Sequence, residues 1–299
     1  MTVASSYMAD ISDDSNRSAN FGMIGAAFGL GFIVGPGLGG MLGHLGHHAP
    51  FIAAAVLNIL NFIFGYFILP ESLDEAHRRK IELKKLNPFH SLFKLLFKPG
   101  MRIMVWIYLL LYLAGQSHPS IWTLYTQYKF NWSAMEVGLS LSFVGISVAF
   151  TQGYLTRIVV PKWGELNSLR IGIVFYIIDF AALAFATQGW MMYVILAVTT
   201  LSGITGPASQ SLISKDIPPS EQGELQGTLI SIASLTAIVG PLFYTDLFAR
   251  FTNGSMEIQF PGSAYLAAAI ISVVAMVLLM AYKPTESAAS TTVNPISPH

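Results

Sequence analysis

The chain has no cysteine among its 299 residues. That excludes a disulfide framework, a thiolate metal site and a nucleophilic thiol. Charge is nearly as scarce, at 11% of residues against about 25% in soluble domains. Sixteen basic and sixteen acidic side chains leave no net charge, so the basic footprint of a nucleic-acid partner is missing. Residues 1–20 lack the basic start and following apolar run of a cleavable signal. There is no glycine loop ahead of a Lys-Ser/Thr pair to cradle phosphates, and no nucleophile with a spaced base. The chain reads as a non-enzyme with no cofactor. His44, His47 and His48 share a short turn without an acidic partner, and no metal site is expected there.

What remains is apolar: 53% of residues are hydrophobic. Runs long enough to cross about 30 Å of hydrocarbon lie near 19–43, 50–69, 101–124, 135–157, 168–187, 189–214, 224–249 and 261–282. The breaks between them carry turn residues, such as Phe130-Asn131-Trp132-Ser133, Pro161-Lys162-Trp163-Gly164 and Asn253-Gly254-Ser255. Lysine and arginine stay on the cytoplasmic side of a bilayer. With eight spans and both ends cytoplasmic, only Lys129 and Arg250 of the 16 basic residues fall outside, leaving 14 within. One span more or fewer scrambles that partition. The expected class is therefore an all-α, multi-pass membrane protein. Segment 70–100, with Arg78, Arg79, Lys80, Lys84, Lys85, Lys94 and Lys98, reads as a cytoplasmic linker; its Asn87–Phe97 part is amphipathic and suited to the membrane surface. The tail 283–299 is rich in Ser, Thr, Ala and Pro and reads as disordered.

One segment is more specific. Gly22-x8-Gly31-x3-Gly35-Pro36-x2-Gly39-Gly40 lies inside a nearly uncharged apolar run. Gly31, Gly35, Gly39 and Gly43 recur every four residues, a smooth helical stripe that lets another membrane helix approach at backbone distance. Pro36 removes one backbone hydrogen bond and predicts a kink. The pattern has an echo about 205 residues later: Ala9-Asp10-Ile11, Gly22 and Gly35-Pro36 answer to Lys215-Asp216-Ile217, Gly227 and Gly240-Pro241. Six spans separate the copies, so the first and seventh spans are equivalent by repeat.

Parallel six-helix repeats belong to major facilitator transporters. The glycine pattern resembles the antiporter motif in the fifth helix of their drug/proton antiporters. Over nearly its whole length the chain resembles bacterial tetracycline/proton antiporters. The carrying residues include Ala9-Asp10-Ile11-Ser12-Asp13, His48-Ala49-Pro50-Phe51, Ala55-Val56-Leu57-Asn58-Ile59-Leu60-Asn61-Phe62, Leu69-Pro70-Glu71-Ser72 and Leu86-Asn87-Pro88. Further on they include Gly115-Gln116, Gly138-Leu139-Ser140-Leu141, Leu183 to Trp190, Gly206-Pro207-Ala208, Gln222 to Gly227, and Ile238-Val239-Gly240-Pro241-Leu242. The resemblance implies proton-coupled efflux of a bulky, partly apolar drug through a central cavity between two six-helix halves. Two positions depart from it. Val148 stands where the family pattern Gly-x-x-His-x-x-x-Gln has its histidine. Tyr176 stands where the next helix has its aspartate, and the nearest acid is Asp179.

On this reading residues 1–69 are the remnant of an N-terminal half: the end of a fourth helix, then the fifth and sixth. Residues 70–100 are the linker, 101–282 a C-terminal six-helix half, and 283–299 the tail. The chain is expected to be a partial major facilitator fold of eight transmembrane helices plus a stub, whether as a fragment, from a displaced start, or from a decayed gene. It would sit in the cell inner membrane as a monomer, its partners the lipid bilayer, protons and a small-molecule substrate.

Charges within lipid are costly and default to function. Asp179 is the carboxylate deep within a span, and proton coupling requires a carboxyl that takes a proton from one side and releases it to the other; a structural acid satisfied by hydroxyls is the other reading. Tyr176, three residues earlier, shares its helical face and is a candidate partner. His118 beside Pro119 either takes part in proton coupling or is a neutral imidazole bonded to a carbonyl freed by the proline. Gln116, Gln152, Tyr112 and Tyr176 are candidate substrate contacts. Asn58 and Asn61, which share a face, are candidates for substrate contact or for joining helices. Asp10 corresponds to an aspartate that, in the family, helps hold a cytoplasmic gate. Besides secondary export, a non-transporting membrane remnant and an uptake carrier of another solute remain open.

Overall fold

A computed structural model describes residues 17–68, 102–215, 222–254 and 256–282. Asp10, the linker 70–100 and the tail 283–299 lie outside the described residues. Every described element is helical: α1 (Arg17–Gly43), α2 (Ala49–Ile68), α3 (Arg102–Gly115), α4 (Ser117–Phe130), α5 (Ala134–Phe150), α6 (Thr156–Trp163), α7 (Glu165–Phe185), α8 (Gly189–Val198), α9 (Thr205–Lys215), α10 (Gln222–Arg250) and α11 (Ser263–Ala281). A π-helical turn, Thr151–Leu155, joins α5 to α6, and a 3-10 segment, Thr199–Ile204, joins α8 to α9.

Six stretches are long and apolar enough to span a bilayer: Ala49–Ile68, Ala134–Leu155, Glu165–Phe185, Gly189–Ser214, Leu225–Arg250 and Ser263–Ala281. These follow the expected runs closely. The run 101–124 differs, because the helix is interrupted at Gln116 and two 14-residue helices result. Pro119 falls in the first turn of α4, where a missing N–H costs nothing. α1 and α10 run as single helices through Pro36 and Pro241.

The helix ends follow from local chemistry. Asn131 closes α4 in the left-handed region at φ 55°, its N–H reaching the carbonyls of Gln127 and Thr126. Two residues on, Ser133 and Glu136 form a reciprocal capping box. The Ser133 N–H donates to Glu136 Oε2 at 2.7 Å, and the Glu136 N–H donates to Ser133 Oγ at 3.3 Å. Gly164, at φ 75°, ends α6 and starts α7.

The chain divides into two compact units. The first holds α1, α2 and residues 132–146. Its tightest contact is between α1 and α5, and it shares Gly43 alone with the expected stripe. A Cβ placed on Gly31, Gly35 or Gly39 would meet nothing within 4 Å. The close approach is instead made by Gly40, Gly43 and Gly138. A Cβ on Gly138 would lie 2.6 Å from the Pro36 carbonyl oxygen, and one on Gly40 would lie 2.9 Å from that of Ala134. Pro36, Gly40 and Gly43 are spaced i, i+4, i+7, the seam of two helices in extended contact, whereas a strict four-residue repeat drifts away from it.

The second unit holds, of the described residues, 102–131 and those from 147 onward. α7 runs through its middle, packed on α11, α9 and the 3-10 segment, while α3 packs on α11, α10 and α9. Met104, Val105, Ile107, Tyr108 and Leu111 of α3 meet Leu169 and Ile173 of α7, Leu212 of α9, Leu229 of α10 and Leu279 of α11 in one apolar cluster. Small residues set the spacing. A Cβ on Gly172 would meet Thr205 at 2.7 Å, one on Gly203 would meet Thr151 at 2.8 Å, and one on Gly262 would collide with the Ala184 carbonyl.

Gly138→Val should lower the stability of the detergent-solubilised protein by about 1–3 kcal/mol, the usual cost of overpacking, while Gly35→Ala leaves it unchanged. Thermal unfolding of the two variants side by side reads the difference.

Candidate functional site

The polar centre of the second unit forms where three elements meet. Asp179, on the fourth turn of α7, is buried, with 2% of its surface exposed. Its Oδ2 stands 3.0 Å from Nε2 of His118, the second residue of α4. Its Oδ1 receives the Thr199 hydroxyl at 2.6 Å, from the first residue of the 3-10 segment. An ionised carboxylate offers only acceptors, so two donors from two other helices satisfy it. The His118 ring is wedged among aromatics, with Trp122, Phe180 and Tyr265 centred 5.8, 5.2 and 5.8 Å away. Its side chain keeps 26% exposure while Asp179 keeps 3%. The pair thus has one member closed in by protein and one partly open.

Two individually chosen residues are therefore one unit, and the imidazole bonds the carboxylate rather than a carbonyl freed by Pro119. Tyr176 is not a ligand of that carboxylate. Its hydroxyl instead lies 3.0 Å from where a Cβ on Gly115 would stand, at the interruption between α3 and α4. Gln116 is at the same interruption, with its Cβ 2.5 Å from the position of a Cβ on Gly240. The repeat's second glycine thus makes room for this glutamine. Tyr112 is half-buried and packed on Tyr108, with ring centres 4.3 Å apart. Gln152 is exposed on the π turn, as is Val148 before it.

The first unit holds the other candidates. Asn58 and Asn61 are exposed on α2, a helix with no buried residue, and the Asn58 amide donates to its own helix at Ala54 O, 2.8 Å away. Neither joins helices among the described residues. Gly22 lies on α1; Gly31, Gly35 and Gly39 are open, and Pro36 and Gly40 line the α1–α5 seam.

Thr199 and Tyr265 were invisible as site residues from sequence. Tyr265 is fully buried beside His118, and its hydroxyl has no hydrogen-bond partner among the described residues. The available signal was the polar cluster Thr199-Thr200-x-Ser202-Gly203 in an otherwise apolar run, which coincides with the 3-10 segment.

Two basic residues were expected on the outer side, and both are tied to their own helices. Arg250 Nε donates to Asp246 Oδ2 at 2.8 Å. Lys129 Nζ donates to the Tyr125 hydroxyl at 3.0 Å, which in turn donates to Leu183 O at 2.6 Å. Partial burial lowers the Lys129 ammonium from its ordinary pKa.

Residues 1–241 match the family model described as Major Facilitator Superfamily. The chain is similar to the class C tetracycline resistance protein of Escherichia coli, 38% identical over 250 residues, which make up 83% of this chain and 62% of that protein. It is similar to the class G protein of Vibrio anguillarum, 35% identical over 277 residues, 93% of this chain and 69% of that one. It therefore spans roughly two thirds of the length of these relatives, and less than that of the first. Among solved structures, the human organic anion transporter MFSD10 (TETRAN) superposes with TM-score 0.62 over 92% of this chain and 66% of that one, at 20% identity. That likeness speaks for the fold alone.

His118→Leu should lower stability by about 1–3 kcal/mol, because the buried carboxylate loses a donor. Asp179→Asn should cost less, since an amide can accept from His118 and exchange a hydrogen bond with Thr199. Thermal unfolding in detergent compares them.

Proposed function

This chain belongs to the Major Facilitator Superfamily, and we propose that it is the transport core of a proton-coupled exporter of drug-like, tetracycline-like small molecules. The observation that carries the reading is the His118–Asp179 pair. An ionisable residue within a membrane span is costly unless it is used. Here a buried carboxylate is joined to the one side chain type whose ordinary titration falls near neutrality. The resemblance implies a histidine where Val148 stands and an aspartate where Tyr176 stands. His118 and Asp179 supply the same two chemical groups, the acid three residues along the helix from Tyr176 and the imidazole from α4.

The cycle follows from that chemistry. A proton arriving from outside neutralises Asp179, and the neutral carboxyl no longer holds an imidazolium by charge. Release to the cytoplasm restores the attraction. Exchange requires only that substrate bind better to one of the two states. Gln116, at the α3–α4 interruption, with Tyr112 and Tyr176 beside it, offers amide and phenol groups for a flat, partly polar substrate. Gln152, Asn58 and Asn61 are further polar candidates, and Asp10 the gating one.

The topology that fits this reading has eight spans, adding α1 and the α3–α4 pair to the six helices above. Both termini are cytoplasmic in the inner membrane, residues 1–69 belong to one half and 101–282 to the other, with 70–100 between, and the protein acts as a monomer. Lys129 and Arg250 support that orientation, because each is held by a local partner. No step needs a cofactor or a covalent intermediate.

Inverted membrane vesicles containing this chain, energised by a proton gradient, test the reading through tetracycline accumulation. Asp179→Asn is expected to abolish gradient-driven uptake with expression intact; unchanged uptake would remove Asp179 from the mechanism. His118→Gln is expected to flatten the pH dependence between about pH 5 and 8, and an unaltered profile would exclude the histidine.

A further inference from the structure

The Thr199 hydroxyl has two acceptors and one hydrogen. Its oxygen lies 2.6 Å from Asp179 Oδ1 and 2.6 Å from the carbonyl oxygen of Ile195, one turn back on α8. A hydroxyl donates one hydrogen and accepts through two lone pairs. Both contacts carry a hydrogen only when Oδ1 is protonated; with the carboxylate ionised, the single hydroxyl hydrogen serves one of them. With Asp179 ionised, the hydrogen points at Oδ1. With a proton on Oδ1, the carboxyl donates to Thr199 Oγ1 and the Thr199 hydrogen turns to Ile195. No heavy atom has to move between the two.

We propose that Thr199 is a positioning residue that sets the proton affinity of Asp179, a two-position hydroxyl rotor that holds the carboxyl in both protonation states. This rests on the reading of Asp179 as the proton carrier. The balance is simple: one proton binds Oδ1, one hydrogen bond reverses direction, and the hydrogen freed from Oδ1 reaches the Ile195 carbonyl.

The surroundings leave this role to Thr199. The ionisable groups facing Asp179 are His118 from α4, Tyr265 from α11, which interacts with it electrostatically, and Tyr176 one turn back on α7. Among the described residues the Tyr265 hydroxyl has no hydrogen-bond partner, and no lysine or arginine forms an ion pair with the carboxylate. His118 occupies Oδ2. Oδ1 therefore depends on Thr199.

The rotor is also held firmly in place. Thr199 starts the 3-10 segment, whose next residue accepts a hydrogen bond from Thr151 Oγ1 through Thr200 O at 3.0 Å. Thr151 begins the π turn, and Gly203 allows its side chain to sit against the segment. Two helix irregularities thus brace each other just beside the carboxyl, a placement common for such turns near working sites.

The test is the infrared carboxyl band of the full chain reconstituted in liposomes, titrated with pH and assigned by its loss in Asp179→Asn. Thr199→Val removes the donor that stabilises the charged form. The midpoint of the band should rise by about one pH unit, a tenfold change in proton affinity, while Thr199→Ser keeps the parental midpoint. Thr199→Ala is the second variant should the valine protein not fold, with helicity by circular dichroism as the check. An unmoved midpoint in the folded valine or alanine variant overturns the proposal, and so does a serine variant that shifts as far. The shift without tetracycline uptake would discard the transport reading and leave the rotor standing. Gradient-driven uptake with an unmoved midpoint would do the reverse.

Discussion

A carboxylate held between an imidazole and a hydroxyl, each from a different helix, is the interaction on which the second unit depends. Asp179 can be buried only because α4 and the 3-10 segment deliver donors to both of its oxygens. Removing either element would leave a buried charge incompletely bonded, a state that costs more than most packing defects. The pair therefore does for the centre of this unit what an apolar contact cannot, since in lipid there is little hydrophobic drive between helices. It also explains why α4 starts anew at Gln116. The break frees the first turn, with its Pro119, to place His118 toward α7.

Around that centre, helix spacing is set by what is missing from side chains rather than by what is present. Gly172, Gly203, Gly240 and Gly262 each stand where a Cβ would strike a neighbouring helix. Several hydroxyls fold back onto carbonyls of their own helices, as Thr126 does to Trp122 and Ser272 to Ala268. They hide polarity and leave the close approaches dry. Thr151 and Thr199 are among those that cross between elements, as Ser211 does to Glu165. Both threonines sit at the irregular turns, where the regular ladder is disturbed and a hydroxyl can be spared for a neighbour.

Much of this was legible in advance. Apart from 101–124, the apolar runs appear as helices within a few residues of their expected ends, because hydropathy over some twenty residues averages out local detail. His118 and Asp179 stood out singly because charge in an apolar run is conspicuous. Their pairing was not readable, since 61 residues separate them and nothing in periodicity links α4 to α7. Only part of the glycine pattern meets a helix among the described residues, for a geometric reason. Gly31, Gly35 and Gly39 repeat more regularly than the Pro36, Gly40 and Gly43 set, but helices in extended contact follow the latter interval. Thr199 escaped notice because a threonine in a membrane helix ordinarily bonds its own turn, and here it does that as well.

α1 and α2 form a hairpin turned at Gly46, whose φ of 127° suits glycine. No residue of α2 is buried against protein. Its backbone hydrogen bonds close within the helix, as those of any membrane-spanning helix must. Its exposed apolar faces suit acyl chains or further helices as neighbours.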